Sequence, residues 1–169
     1  IFPDDSKIDV ASTRLEYYDS PGALPTVERS SLKMDLYRRD FTINTLAVSL
    51  SSVGFGQMVD FFNAMQDLRE KSIRVLHNLS FVEDPTRVFR AVRFEQRLKF
   101  KMATHTENLI KNSIRMNFLD KLGGRRLFNE LVHIFEENDP HLAVERIASL
   151  GALKYIHKSL EAIDSIDLI

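Results

Sequence analysis

Residues 83–94, Glu83-Asp84-Pro85-Thr86-Arg87-Val88-Phe89-Arg90-Ala91-Val92-Arg93-Phe94 (EDPTRVFRAVRF), mark the point where the character of the chain changes. Asp84 followed by Pro85 is a helix-start signature. The short acid accepts from the free N–H groups of a first turn, and the proline lacks an N–H where none is needed. Val88, Ala91, Val92, Glu95 and Leu98 then recur at the spacing of one helix face, apolar apart from Glu95, while Arg87, Arg90 and Arg97 form a basic stripe on another. A cap accounts for Asp84 but not for Arg87. One helical turn separates the two, so a carboxylate acceptor lies beside a guanidinium donor. Cytosine and adenine each carry an exocyclic amine beside a ring-nitrogen acceptor, whereas guanine and uracil carry a carbonyl beside a ring N–H. Such a pair selects C and A over G and U by ~1–3 kcal/mol per bidentate contact.

Downstream of this stretch the pattern predicts helices over 104–113, 125–137 and 140–150, broken at Asn138-Asp139-Pro140 and at Gly151. Upstream it reads as strands and turns. Ile8 and Val10 alternate with Asp9, which predicts a half-buried strand over 7–11 with Asp9 projecting from a sheet. Residues 19–31, rich in Ser, Pro and charge, read as a loop. Short apolar runs over 45–51 and 57–62, separated by Ser52, Gly54 and Gly56, predict a β-hairpin, and Asn63 reads as the N-cap of a helix over 64–71. Strands first and helices second predict an α+β fold divided near residue 76, into 1–75 and 76–169.

Composition narrows the function. With 23 Lys+Arg against 24 Asp+Glu, the 169-residue chain is no polycation, so nucleic-acid contact has to come from locally arranged arginines. A 44% hydrophobic content with 6 Gly and 5 Pro is that of a folded domain with a real core. The absence of Cys excludes disulfide staples, thiolate zinc sites and cysteine nucleophiles, and fits a reducing, cytoplasmic setting. No apolar run approaches the ~20 residues of a membrane span. Opening on Ile1 rather than Met, the sequence reads as an excerpt of a longer polypeptide.

Arg38-Arg39-Asp40-Phe41-Thr42-Ile43-Asn44 (RRDFTIN, residues 38–44) is the second chemical signal. Adjacent arginines followed by an acid and an amide are able to hold a triphosphate, the guanidinium forks meeting phosphate oxygens; the plainer reading is a surface basic pair before an apolar strand. Arg14 and Glu16 offer a further ribose or phosphate contact, and Asp9 a hard oxygen ligand for Mg²⁺. The five histidines show no zinc-ligand spacing and read as structural. Gly123-Gly124-Arg125-Arg126, with Glu130 following, reads as a simple helix start.

RRDFTIN and EDPTRVFRAVRF at this separation resemble the class II tRNA nucleotidyltransferase and bacterial poly(A) polymerase family. The resemblance implies the C-terminal part of a nucleotidyltransferase head, a helical neck that reads the incoming base, and the start of a helical body that grips tRNA. It implies that Asp84 and Arg87 form an amino-acid template for CTP and ATP, with Glu83 as support. Arg38, Arg39, Asp40 and Asn44 become the set that orders the nucleotide, with Arg90 joining them, Arg14 and Glu16 near the ribose, and Asp9 as a candidate third catalytic carboxylate and metal ligand. The family's principal Mg²⁺ ligands, a DxD pair, are expected upstream of Ile1, so the excerpt by itself should bind more readily than it catalyses. RLEYY (14–18) and PTVERSSLKMDLYRRDFTINTLA (25–47) resemble A-adding enzymes most, and 19–33 matches the position of a flexible loop implicated in A addition. The implied partners are ATP, with or without CTP, and the 3′ end of tRNA. The alternatives are a poly(A) polymerase and a non-catalytic RNA-binding module.

Overall fold

A computed structural model describes residues 7–17 and 26–160. The first part is a set of short paired segments. β1 (Arg14–Tyr17) runs antiparallel to β2 (Thr26–Arg29), with Arg14 opposite Arg29. α1 (Leu32–Tyr37) follows at once, its first turn capped by the Ser31 hydroxyl, which accepts from the Met34 N–H. Thr42–Asn44 makes one 3₁₀ turn. β3 (Ala47–Val48) and β4 (Met58–Val59) form the predicted hairpin, shorter than the apolar runs. After α2 (Ala64–Glu70), β5 (Ser72–Ile73) lies parallel to β6 (Lys101–Met102). A parallel pair needs a long crossover, and α3 (Ser80–Glu83) and α4 (Arg87–Leu98) provide it. α5 (Thr104–Arg115), α6 (Gly124–Phe135) and α7 (Pro140–Ser149) stand where the three downstream helices were expected.

α4 is the centre of the molecule. Val88, Phe89, Ala91 and Val92 are fully buried, and the helix packs against α3, α6, α7 and the β5–β6 pair. The same core takes in Phe41 and Ile73 before residue 76 and Ile110, Ile134 and Ile147 after it. Glu95, the acid on the apolar face, is buried because it accepts from the Met102 N–H at 3.0 Å and from Arg146 Nε at 2.8 Å. A buried charge persists only when so paired, and this one ties β6 and α7 to α4.

Three expectations are corrected. Residues 7–11 form no strand: Ile8 is 71% and Val10 93% exposed, because alternation marks a surface able to pair but supplies no partner, and none lies alongside among the described residues. Thr26–Arg29, expected within a loop, is strand β2; the rest of that loop up to Pro25 lies outside the described residues. Asn63 does not cap α2 with its side chain and stands at φ 59°, while the Asp60 carboxylate accepts from the N–H groups of Phe62, Ala64 and Met65. The acid three residues earlier does the capping because the left-handed turn at Asn63 folds the helix N-terminus back over it.

Candidate functional site

The RRD segment is held by ion pairs that begin on the hairpin before it. Arg38 donates to Glu16 at 2.7 Å and, through Nε and Nη2, to one oxygen of Asp35 at 3.1 and 2.8 Å. That Asp35 oxygen also accepts the Arg14 backbone N–H at 3.0 Å, and Arg14 pairs with Glu16 at 2.9 Å. Arg39 reaches the other Asp35 oxygen at 3.5 Å and the Asn44 carbonyl at 3.3 Å. Burial pushes the Asp35 carboxyl up, but the hydrogen bonds from Arg38 and the Arg14 N–H, with the charges of Arg38 and Arg39, outweigh it and hold it below the usual range.

Asp40 is buried and fully engaged. Oδ1 accepts from the Phe41 N–H at 2.9 Å and the Asn44 amide at 2.8 Å, while Oδ2 accepts from Arg90 Nε at 2.8 Å. Its burial favours the neutral acid, and the Arg90 charge together with these donors reverses that, leaving the carboxyl below its usual range. Arg90 is raised in turn: burial opposes its charge, and Asp40 and Glu130 more than restore it.

Asp84 stands ahead of α4 rather than at its N-cap. Because Pro85 has no N–H, the carboxylate bonds one residue further on: Oδ1 accepts from Thr86 N–H at 3.1 Å and Thr86 Oγ1 at 2.6 Å, and it forms an ion pair with Arg126 Nη2 at 2.7 Å. Oδ2 accepts no hydrogen bond among the described residues. Arg87 is 4% exposed, its Nη1 donating to Ser80 Oγ at 2.8 Å and its Nη2 to the Arg38 carbonyl at 2.8 Å. Among the described residues it forms no ion pair, so a buried guanidinium faces neutral acceptors only, and those bonds occupy at most three of its five N–H groups.

That Arg87–Arg38 bond closes the two motifs on one another. A cavity of about 570 Å³ is bounded by Glu16, Arg38, Arg39, Asp40 and Asn44 on one side and by Asp84, Arg87, Arg90 and Phe94 on the other. Arg14 stands behind it on Glu16. Glu83 borders a neighbouring cavity of about 230 Å³, where it lies 3.5 Å from His77. Asp9 is exposed and does not line the cavity. No cluster of acids and histidines able to hold a metal ion occurs among the described residues, and the acids that line the cavity, Glu16, Asp40 and Asp84, are each paired with an arginine. The residues present therefore do not fit Mg²⁺ on their own.

Two of the three arginines of the basic stripe are neutralised, Arg90 by Asp40 and Arg97 by Glu137 at 3.7 Å, while Arg87 is buried against neutral acceptors. Four contributors were invisible in the sequence. Asp35 orders both arginines of the RRD segment, Phe94 carries the Arg90 and Arg93 guanidiniums over its ring at 5.7 and 5.2 Å, and Arg126 and Glu130 of α6 reach Asp84 and Arg90. Their only sequence signal is helical spacing: Phe94 is one turn beyond Arg90, and Glu130 one turn beyond Arg126.

Residues 1–74 match the family described as "Poly A polymerase head domain", and residues 99–164 the one described as "Probable RNA and SrmB- binding site of polymerase A". The A-adding tRNA nucleotidyltransferase of Geobacter sulfurreducens is 71% identical over 160 residues, 95% of this chain and 18% of that protein. A solved CCA-adding enzyme in an apo form superposes with a TM-score of 0.87 at 47% identity, covering 89% of this chain and 36% of that one. A tRNA nucleotidyltransferase complexed with a primer tRNA and an incoming ATP analogue does so with a TM-score of 0.76 at 41% identity, covering 79% of this chain and 39% of that one. The chain thus spans about a fifth of that curated relative's length and somewhat over a third of these structures.

Proposed function

Because the chain belongs to the class II tRNA nucleotidyltransferase and bacterial poly(A) polymerase family, we propose that it is the base-reading part of an enzyme that adds AMP, with or without CMP, to the 3′ end of tRNA. The observation that carries this is the meeting of residues 38–44 and 83–87 on one cavity, locked by the Arg87–Arg38 bond. At about 570 Å³ it is of the size that small-molecule ligands occupy.

In this reading Asp84 Oδ2 accepts the exocyclic amine of adenine or cytosine, and Arg87 donates to the adjacent ring nitrogen from an N–H not yet bonded. Guanine and uracil offer a carbonyl to the carboxylate and an N–H to the guanidinium, two repulsive pairings. Arg39 and Arg38 face the phosphates, with Asn44 and the Asp40–Arg90 pair fixing the loop that carries them; Glu16 and Arg14 lie on the ribose side, and Glu83 supports Asp84. The terminal hydroxyl of the tRNA displaces pyrophosphate from the α-phosphorus of ATP, forming one phosphodiester bond. Mg²⁺, which nucleotidyltransferases generally use, supplies charge neutralisation in this reaction when bound. Asp9 is a ligand only if acids outside the described residues complete the set. The head ends near residue 75, with neck and body following. No helix among the described residues is long and apolar enough to cross a membrane, and the cytoplasm, where tRNA is matured, is the setting proposed.

The test is extension of a tRNA ending in CC by the full-length polypeptide with each nucleoside triphosphate alone. Addition of a single A, with GMP and UMP rejected, is expected, and this chain alone should add nothing. Failure to add A overturns the proposal; a long A tract would make the protein a poly(A) polymerase, and RNA affinity without any addition an RNA-binding module.

A further inference from the structure

We propose that Arg126 is a positioning residue for base selection, holding the Asp84 carboxylate in the rotation that presents Oδ2 to the incoming base; this rests on the reading of Asp84 given above. Asp84 sits in a turn outside α4, where the Thr86 N–H is the one backbone group among the described residues that bonds its side chain. All three donors that reach it, the Thr86 N–H, the Thr86 hydroxyl and Arg126, converge on Oδ1. An oxygen with two lone pairs is then saturated, and a further donor has to use Oδ2. Of the three, only Arg126 is charged and belongs to another element, so it alone ties the rotation of the carboxylate to α6.

α6 is suited to this task. Ile134 is fully buried, and Glu130, one turn beyond Arg126, lies 3.5 Å from Arg90 and 3.6 Å from Arg93. The helix thus offers a cation to the acid before α4 and an anion to the arginines on it, and this fixes its register. Arg126 does not line the cavity, so its effect on a bound base passes through Asp84. Without it, a carboxylate only 15% exposed would keep no ion pair among the described residues. Such a carboxylate would be free to turn, and Oδ2 would no longer be held toward the base.

The experiment compares kcat/KM for ATP and GTP in the full-length polypeptide carrying Arg126→Gln, Asp84→Asn, both together, or Arg97→Gln as a control for loss of a surface charge. Arg126→Gln should lower the ATP:GTP ratio about tenfold, the size of one good polar contact, mostly through KM for ATP. In the Asp84→Asn background it should add little, and Arg97→Gln should leave the ratio alone. An intact ratio with equal loss for all nucleotides, or fully additive effects in the double variant, overturns the proposal. Should Arg126→Gln fail to fold, Arg126→Met keeps the aliphatic stem and carries the same test; failure of both to fold makes Arg126 a brace and likewise overturns it. A wild-type enzyme indifferent to A and G would instead sink the reading of Asp84 itself.

Discussion

Arg87 is buried, and its burial decides which substitution can test it. Removing the guanidinium leaves the Ser80 hydroxyl and the Arg38 carbonyl without their donor, at a cost of ~1–3 kcal/mol, so Arg87→Ala confounds stability with recognition. Arg87→Lys keeps the charge and one donor but not the planar fork. It should stay folded while losing about tenfold in discrimination against GTP and UTP. Asp84→Asn is the matching change, because an asparagine oxygen still accepts from Thr86. Its partly exposed pair with Arg126 is worth no more than ~1 kcal/mol, so thermal stability should move little while selectivity for A and C collapses. Parallel incorporation assays with the four triphosphates check both, and unchanged selectivity in the pair would leave Asp84 a turn-forming residue and nothing more.

At the scale of elements, the start of α2 offers a clean contrast between two polar residues. Asp60→Ala removes the acceptors of the Phe62 N–H and of the first two helix N–H groups, those of Ala64 and Met65, and should cost ~1–2 kcal/mol. Asn63→Gly should be neutral or better, since residue 63 contributes a left-handed conformation that glycine adopts freely; equal losses in denaturant melts would restore Asn63 as the cap. The same contrast explains what was legible. α5, α6 and α7 were readable because a helix carries its period and its breakers within itself. Residues 7–11 misled because a strand is completed only by a neighbour. RRDFTIN and EDPTR were conspicuous as clusters of charge, and the fold brings both to one cavity. Arg126 looks like part of an ordinary helix start in the sequence because its partner Asp84 is remote along the chain and adjacent only after α6 packs on α4.

Across the described residues, the histidine and carboxylates that are shifted all move downward, which sets how stability depends on pH below neutrality. Burial, opposed by Glu83 and reinforced by Arg87, lowers His77 from its ordinary 6.5. Asp35, Asp40 and Asp60, against the pull of burial, and Glu107, through its bonds to Lys111 and Arg146, are all held below the ordinary carboxylate values of 3.8 and 4.5. A group whose pKa is lower in the folded chain than in the unfolded one leaves the unfolded state binding more protons between the two values. Its stabilisation is therefore complete above the unfolded pKa and lost as pH falls through the folded one. Two limbs are expected in a plot of melting temperature against pH: a shallow decline setting in below about 6.5 from one histidine, then a steeper one below about 4 from four carboxylates. His77→Gln should erase the first limb and keep the second. Asp40→Asn, which leaves Arg90 facing an amide, should lower stability at neutral pH by ~1–3 kcal/mol and flatten the second limb, so that its deficit against the wild type shrinks in acid. A single limb near pH 4 that His77→Gln does not alter would show that His77 is held no differently in the folded chain than in the unfolded one, and would remove it from the account.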